Sequence, residues 1–142
     1  MTRIAFAESA IDIERCFPIM VELRTALTPD EFVAKVQRQR ALYGFKLAYL
    51  EDGGEVKAVA GFRVMENLAW GKFLYVDDLV TAAAARSQGY GDKLFDWLLD
   101  YARAEGCEQL HLDSGVQRFE AHRFYLRKRM SISSHHFAML VR

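Results

Sequence analysis

Short runs in which apolar and polar residues alternate occupy much of the first half of the chain, a period typical of half-buried β-strands. The pattern predicts strands over residues 3–7, 45–50, 55–65 and 72–81. The sequence Asp52-Gly53-Gly54 is typical of a hairpin turn, and residues 67–71 indicate a second turn. We therefore expect an antiparallel meander.

Two helices are predicted between the first and second of these strands. Apolar residues at helical spacing indicate a helix over residues 11–27, in which Pro18 implies either a kink or a later start. Thr28 and Pro29 are typical of a helix start, with threonine as the cap and proline in the first turn. A second helix is expected to follow them and to pack with the first against the meander.

The second half of the chain has the pattern of a crossover. A long amphipathic helix follows Gly91 and is expected to end near Gly106, where glycine suits a helix C-cap. A strand over residues 108–113 comes next. The strand 72–81, the helix and the strand 108–113 together predict a right-handed connection between parallel neighbours.

The C-terminal part is predicted to contain one more helix and one more strand. Ser114 and Gln117 resemble a capping box and indicate a short helix that runs to about residue 128. Three apolar residues then alternate with their neighbours and predict a last strand: Phe137, Met139 and Val141.

The composition indicates one folded domain, residues 1–142, because 51% of the residues are hydrophobic. Lysine plus arginine and aspartate plus glutamate each total 19, and this balance argues against a nucleic acid as partner. Cys16 and Cys107 lack the spacing of a disulfide or metal motif, so free thiols in a cytoplasmic protein are expected. No stretch approaches the about 20 apolar residues of a membrane helix, so no membrane partner is expected.

The segment Arg86-Ser87-Gln88-Gly89-Tyr90-Gly91 has the character of a phosphate-binding turn. Glycines let a ligand approach the backbone, and the start of a helix presents unpaired N–H groups and the positive end of the helix dipole. Arg86 adds a positive charge. An ordinary tight turn is the alternative. The dinucleotide fingerprint is absent, because Leu94 stands where that motif has its third glycine, and no Gly-Lys-Ser/Thr follows.

Two motifs make the chain similar to the GNAT superfamily of acetyl-CoA-dependent N-acetyltransferases. Arg86, Gly89 and Gly91 fill the signature Gln/Arg-x-x-Gly-x-Gly/Ala. The sequence Ala121-His122-Arg123-Phe124-Tyr125 resembles the late helix of that superfamily, where an alanine precedes a tyrosine by four residues. The resemblance extends over nearly the whole chain and implies a mixed α/β fold. It implies a sheet of six to seven strands with an antiparallel N-terminal meander and a parallel β4/β5 pair, and four helices.

The resemblance also implies the activity and the cofactor. It indicates transfer of the acetyl group of acetyl-CoA to a primary amine by direct attack in a ternary complex, with no metal. The acceptor would be a small-molecule or peptide amine, and a homodimer is consistent with the superfamily. Cofactor binding would fall to the end of the fourth strand and the glycine turn: Leu79, Val80, Thr81, Arg86, Ser87, Gln88, Gly89, Tyr90 and Gly91.

Two residues are candidates for the proton transfers. Asp77, by its offset from Arg86, matches the strand carboxylate that some members use as a base, acting through water or by orienting the ammonium. Because neighbours on a strand point to opposite faces, only one of Asp77 and Asp78 is expected to face the cleft. The alternative is that one of them caps a β-bulge and the other is solvated. Tyr125 matches the tyrosine that many members use to protonate the leaving thiolate, and packing within the helix is its alternative.

The chain departs from the superfamily pattern at three places. Arg118 replaces a frequent asparagine at the start of the late helix, Arg129-Met130 replace a Gly-Phe-like pair, and residues 82–85 are all alanine. The departures at Arg118 and Arg129 leave open a second function, that of an acetyl-CoA-binding sensor or regulatory module without turnover. His135-His136 stand without further ligands and do not form a metal motif.

Overall fold

The strands and helices follow the predicted order closely. The computed structural model describes residues 1–142, and its elements are β1 (Thr2–Phe6), α1 (Ala10–Leu23), α2 (Pro29–Tyr43), β2 (Lys46–Asp52), β3 (Glu55–Asn67), β4 (Gly71–Thr81), α3 (Tyr90–Ala104), β5 (Gln109–Leu112) and α4 (Phe119–Arg127). A 3-10 turn, Ala83–Ala85, lies between β4 and α3. By its internal contacts the chain divides into two units, Met1–His111 and Leu112–Arg142.

One sheet holds all the strands in the order β1-β2-β3-β4-β5. The first four strands pair antiparallel, as the meander predicted, and β5 runs parallel to β4 after the crossover through α3. The mixed α/β class and the four helices are therefore confirmed. The expected six or seven strands are an overcount, because the sheet has five.

The sheet is covered on its two faces by different helices. On one face α1 and α2 bury apolar side chains against β2, β3 and β4, in a core that includes the fully buried Ile13 and the free cysteine Cys16. On the other face the rings of Trp97 and Tyr101 of α3 lie edge-on to Phe62 of β3. The alternation of β3 makes this possible, since successive residues project to opposite faces.

Helix α1 differs from its predicted course at both ends. It begins at Ala10, where the Ser9 side chain accepts a hydrogen bond of 3.1 Å from the Asp12 N–H as its cap. It continues through Pro18 and ends at Leu23, so the later start is wrong and the predicted end at residue 27 lies beyond the helix. Thr28 caps α2 and Pro29 opens it, as the sequence indicated.

The second unit contains two departures from the predictions. Helix α4 begins only after Arg118 and has no side-chain cap, while Ser114 Oγ is buried without a hydrogen-bond partner. The Gln117 amide lies over Gly115 instead of completing a capping box. The last strand is wrong as well, because residues 130–142 form neither helix nor strand. Alternation supplies a pattern for a strand, but a strand also needs a neighbour for its hydrogen bonds.

Candidate active site

The glycine turn leads into α3 with open backbone donors. Ser87 and Gly89 both adopt left-handed conformations, with φ of 67° and 80°, and Gly89 is the N-cap residue of α3. No side chain caps this helix. The helical bond at its start runs from the Lys93 N–H to the Gly89 carbonyl over 3.1 Å, so the N–H groups of the first turn have no helical acceptors. Such a turn can hold an anion.

Some side chains of the glycine turn are exposed to solvent, whereas Tyr90 is held in place by a hydrogen bond. Arg86 and Gln88 are exposed, whereas Tyr90 is buried and donates a hydrogen bond of 2.6 Å from its hydroxyl to Asp52 Oδ2. This hydrogen bond is the main cause that raises the pKa of Tyr90 and lowers that of Asp52. This contact could not be predicted from the sequence, because a hairpin turn already accounts for Asp52-Gly53-Gly54.

The end of β4 extends past its parallel neighbour. The Glu108 N–H donates to the Lys72 carbonyl over 2.7 Å, which sets the start of β5 against the start of β4. Strand β5 has 4 residues and β4 has 11, so β5 ends before it reaches Leu79. On the other side of β4, Leu79 and Thr81 pair with β3. The backbone of Leu79–Thr81 is therefore hydrogen-bonded to β3 on one side, whereas its other side has no β5 partner.

A β-bulge interrupts β4 immediately before this segment. In the register with β3, Asp78 lies opposite Gly61 and Val76 lies opposite Phe62, so Asp77 is the extra residue. Asp78 Oδ2 lies 3.7 Å from the position that a Gly61 Cβ would occupy, so Asp78 is on the face of the sheet to which Gly61 belongs. Asp77 contacts the side chain of Arg63. Arg63 is two residues after Gly61 on β3 and therefore projects to the same face. Both carboxylates therefore lie on one face. The expectation that only one could do so is wrong, because the bulge breaks the alternation.

Two arginines pair with these carboxylates. Arg24, at the C-terminus of α1, donates from Nε to Asp78 Oδ1 over 2.6 Å and from Nη2 to the Asp77 carbonyl over 3.4 Å. Arg63 donates from Nε and Nη2 to Asp77 Oδ1 over 3.3 and 2.9 Å. Neither arginine was singled out by the sequence, since Arg24 lies 54 positions from Asp78. The result is a neutral array of two aspartates and two arginines.

The environment of Asp77 changes its acidity. Burial raises the pKa of the Asp77 carboxyl above its ordinary value of 3.8, and this effect outweighs the guanidinium of Arg63, which acts in the opposite direction. A carboxylate with a raised pKa is a better proton acceptor than an ordinary aspartate. Asp77 Oδ2 has no hydrogen-bond partner, so it is open to a bound group.

Tyr125 lies on α4 in the second unit and is half-buried. Burial raises the pKa of its phenol, against a smaller opposing effect of Arg118, so the hydroxyl keeps its proton throughout the neutral range. On the same helix, His122 Nε2 lies 2.7 Å from the Gly115 carbonyl, and Arg123 pairs with Glu120 over 2.6 Å.

Several other aromatic and histidine side chains make structural contacts. Trp70 stacks on His111 with ring centroids 3.6 Å apart, and His136 Nδ1 lies 3.3 Å from Asp113 Oδ1. No group of three or more histidine, cysteine, aspartate or glutamate side chains is arranged to hold a metal ion. No helix has both the length and the apolar character needed to cross a membrane.

Comparison with known proteins identifies the family. The model of the acetyltransferase (GNAT) family matches residues 10–130. The chain belongs to this family. As a GNAT protein it is an acyltransferase. Its similarity to an uncharacterised N-acetyltransferase of Bacillus subtilis, YhdJ, is 37% identity over 112 residues, which cover 79% of each chain.

Two further proteins show what this GNAT chain resembles. It is 32% identical over 76 residues to an aminoalkylphosphonate N-acetyltransferase of Salmonella typhimurium, a match that covers 53% of the chain and 49% of that protein. The crystal structure of the aminoglycoside N-acetyltransferase AAC(6')-Iy in complex with CoA superimposes with a TM-score of 0.88 at 10% identity, over 100% of this chain and 95% of the other. At that identity the likeness shows the fold alone.

Proposed function

We propose that residues 1–142 form one N-acetyltransferase domain that moves the acetyl group of acetyl-CoA to a primary amine by direct attack in a ternary complex. The proposal is carried by two open backbone segments, the unpaired side of the end of β4 and the uncapped start of α3, which are joined by residues 82–86, whose N–H groups are mostly bonded within the protein. The unpaired side of Leu79–Thr81 suits the amides of an extended pantetheine arm. The uncapped start of α3 suits a diphosphate.

Each part of the cofactor has a matching group in one of these two segments. The N–H groups of residues 87–91 would hold the diphosphate, with the exposed Arg86 guanidinium beside them. The backbone N–H near Leu79 would donate to the thioester oxygen as negative charge develops there. Acetyl-CoA supplies an acyl group already activated as a thioester.

The side chains are assigned to the two proton transfers. A lysine-like amine with a pKa of about 10.4 is almost entirely protonated at neutral pH, so it must lose a proton before its nitrogen forms a bond to the carbonyl carbon. Asp77, with its raised pKa and open Oδ2, would accept that proton directly or through water. Tyr125 would give its proton to the thiolate that leaves when the carbon–sulfur bond breaks, a role supported by the motif around it. The raised pKa keeps this proton on the phenol at neutral pH, but it also makes the phenol a weaker acid.

The names of the relatives agree with this chemistry. The Bacillus protein is named an N-acetyltransferase, and the name of the Salmonella protein specifies an amine acceptor that carries a phosphonate. The solved structure of AAC(6')-Iy contains CoA. An amine acceptor and a CoA donor are therefore the natural first choices for assays of this chain.

Calorimetry with CoA and thiol release from acetyl-CoA in the presence of an amine panel test the proposal together. We expect CoA to bind and at least one primary amine to increase thiol release. Tyr125→Phe should lower kcat by about 10- to 100-fold while CoA still binds. CoA binding without thiol release from any amine would instead indicate a sensor module, and no CoA binding would overturn both readings.

A further inference from the structure

The depth of the four charged groups around the bulge is unequal. The side chains of Asp78 and Asp77 are 15% and 18% exposed, whereas those of Arg24 and Arg63 are 54% and 32% exposed. The two carboxylates therefore form the floor of this array and the two guanidiniums form its rim. A ligand that approaches from solvent meets the positive groups before the negative ones.

Each of the four groups keeps hydrogen-bonding capacity for a ligand. Arg24 uses Nε and Nη2 towards the aspartates, and Arg63 also uses Nε and Nη2. The Nη1 group of each arginine has no partner and can donate to an anion. The Oδ2 atom of each aspartate is likewise without a hydrogen bond and can accept from an ammonium group.

The two aspartates and two arginines together carry no net charge. This neutrality favours some classes of amine acceptor over others. A polyamine carries positive charge at both ends, so its second ammonium would lie against the guanidiniums at the rim, with no net negative field to offset the repulsion. A plain alkylamine would leave the Nη1 groups without an acceptor. An amine that carries an anionic group a few bonds away matches both levels of the array.

We infer that the acceptor is a zwitterionic amine, whose ammonium group enters first and lies against Asp77 and Asp78 while its phosphonate, phosphate or carboxylate group stays at the rim and binds Arg24. The inference deepens the proposed function and rests on it. Arg24 is the specificity-determining residue, because it is the more exposed of the two arginines and does not contact the carboxylate of Asp77.

The test compares acceptors of equal length that differ at one end: 3-aminopropylphosphonate, n-butylamine and 1,4-diaminobutane. Rates of thiol release from acetyl-CoA are measured at one pH and corrected for the pKa of each amine. We expect kcat/KM to be at least about tenfold higher for the phosphonate, which is the effect of one charge-assisted contact. Equal rates, or a preference for the diamine, would overturn the inference and leave the acetyltransferase assignment intact.

Variants at Arg24 separate recognition from a structural effect. Arg24→Gln should abolish most of the preference by raising KM for the phosphonate, so that kcat/KM falls about tenfold more for the phosphonate than for n-butylamine. Arg24→Lys keeps the charge and should restore part of the preference. Arg103→Gln, which removes an exposed arginine paired with Asp100 on α3, serves as the matched control and should leave all rates unchanged.

Two outcomes of these experiments count against the inference. If Arg24→Gln lowers the rate for all three amines equally, Arg24 acts only through the folded structure and the inference is wrong. If no amine of the panel releases the thiol, the acetyltransferase proposal and the inference fall together. The two failures are thus distinguishable, since only the second leaves every acceptor inactive.

Discussion

The hydroxyl of Tyr90 donates a hydrogen bond of 2.6 Å to Asp52, which joins the first residue of α3 to the hairpin between β2 and β3. Tyr90 lies between the two glycines of the turn that we propose holds the diphosphate. The position of that turn relative to the sheet therefore depends on a contact that crosses 38 residues of sequence.

Tyr90→Phe should weaken CoA binding several-fold and lower the melting temperature by a few degrees, because the turn loses its connection to the hairpin. Calorimetry with CoA and thermal unfolding measure the two effects. Asp52→Ala should have the same effect, and the double variant should add little to either change. Fully additive effects would show that the two residues act independently.

The backbone angles of the turn predict opposite outcomes at two nearby positions. Gly89→Ala should cost about 1 kcal/mol of stability, because φ is 80° and an added Cβ would meet no atom within 4 Å, so only backbone strain counts. Ser87→Gly relieves the same strain at φ 67° and should stay within about 0.5 kcal/mol of the parent, because a more flexible unfolded state offsets the gain. Urea unfolding compares them, and equal losses would contradict the prediction.

Gly61 provides space for Phe45 beneath the aspartates. A Cβ at Gly61 would lie 2.6 Å from Phe45 Cζ, and Phe45 is buried. Gly61→Ala should therefore cost about 1–3 kcal/mol by overpacking. Phe45→Leu shortens the side chain that is in the way, so the double variant should lose less stability than the sum of the two single variants. A simple sum in chemical unfolding would show that the ring is not the obstacle.

The raised pKa of Asp77 predicts an acid limb in the rate profile. Activity should fall as the pH drops through a value above 3.8, because the protonated carboxyl can no longer accept a proton. Arg63→Gln removes a charge that lowers this pKa, so the limb should move to higher pH. Asp77→Asn should lower kcat by about 100-fold and abolish this limb.

Asp100→Asn provides the control for this profile. Asp100 is an exposed carboxylate on α3 that pairs with Arg103, and its loss should leave both the rate and the acid limb unchanged. A profile of Arg63→Gln that coincides with that of the parent would exclude Asp77 as the group whose titration is observed.

The meander could be predicted because its information is local. Alternating side chains and the Asp52-Gly53-Gly54 turn specify β2, β3 and their connection within a short window. The prediction of a last strand failed because strand pairing depends on a distant part of the chain and not on a local pattern. The side chains of Phe137 and Val141 alternate correctly but are 89% and 94% exposed, and alternation cannot reveal whether an edge is present to pair with.

The charged array shows what sequence patterns could not supply. Asp77 was a candidate from the resemblance alone, but the bulge depends on the register between β4 and β3, which brings Asp78 opposite Gly61. The partners Arg24 and Arg63 come from a helix end and a different strand. A prediction that treats each strand separately therefore places the two aspartates on opposite faces.

The burial of Cys16 in the core beneath α1 has a practical consequence at the bench. Burial raises the pKa of its thiol to about 12, so this sulfur stays protonated and inaccessible to chromogenic disulfide reagents. Cys107, half-buried and also shifted to a higher pKa, is the remaining source of a slow protein background. In a colorimetric thiol assay of the native enzyme, the signal will therefore come mainly from released CoA. Cys107→Ser alone should remove the slow background that the protein contributes.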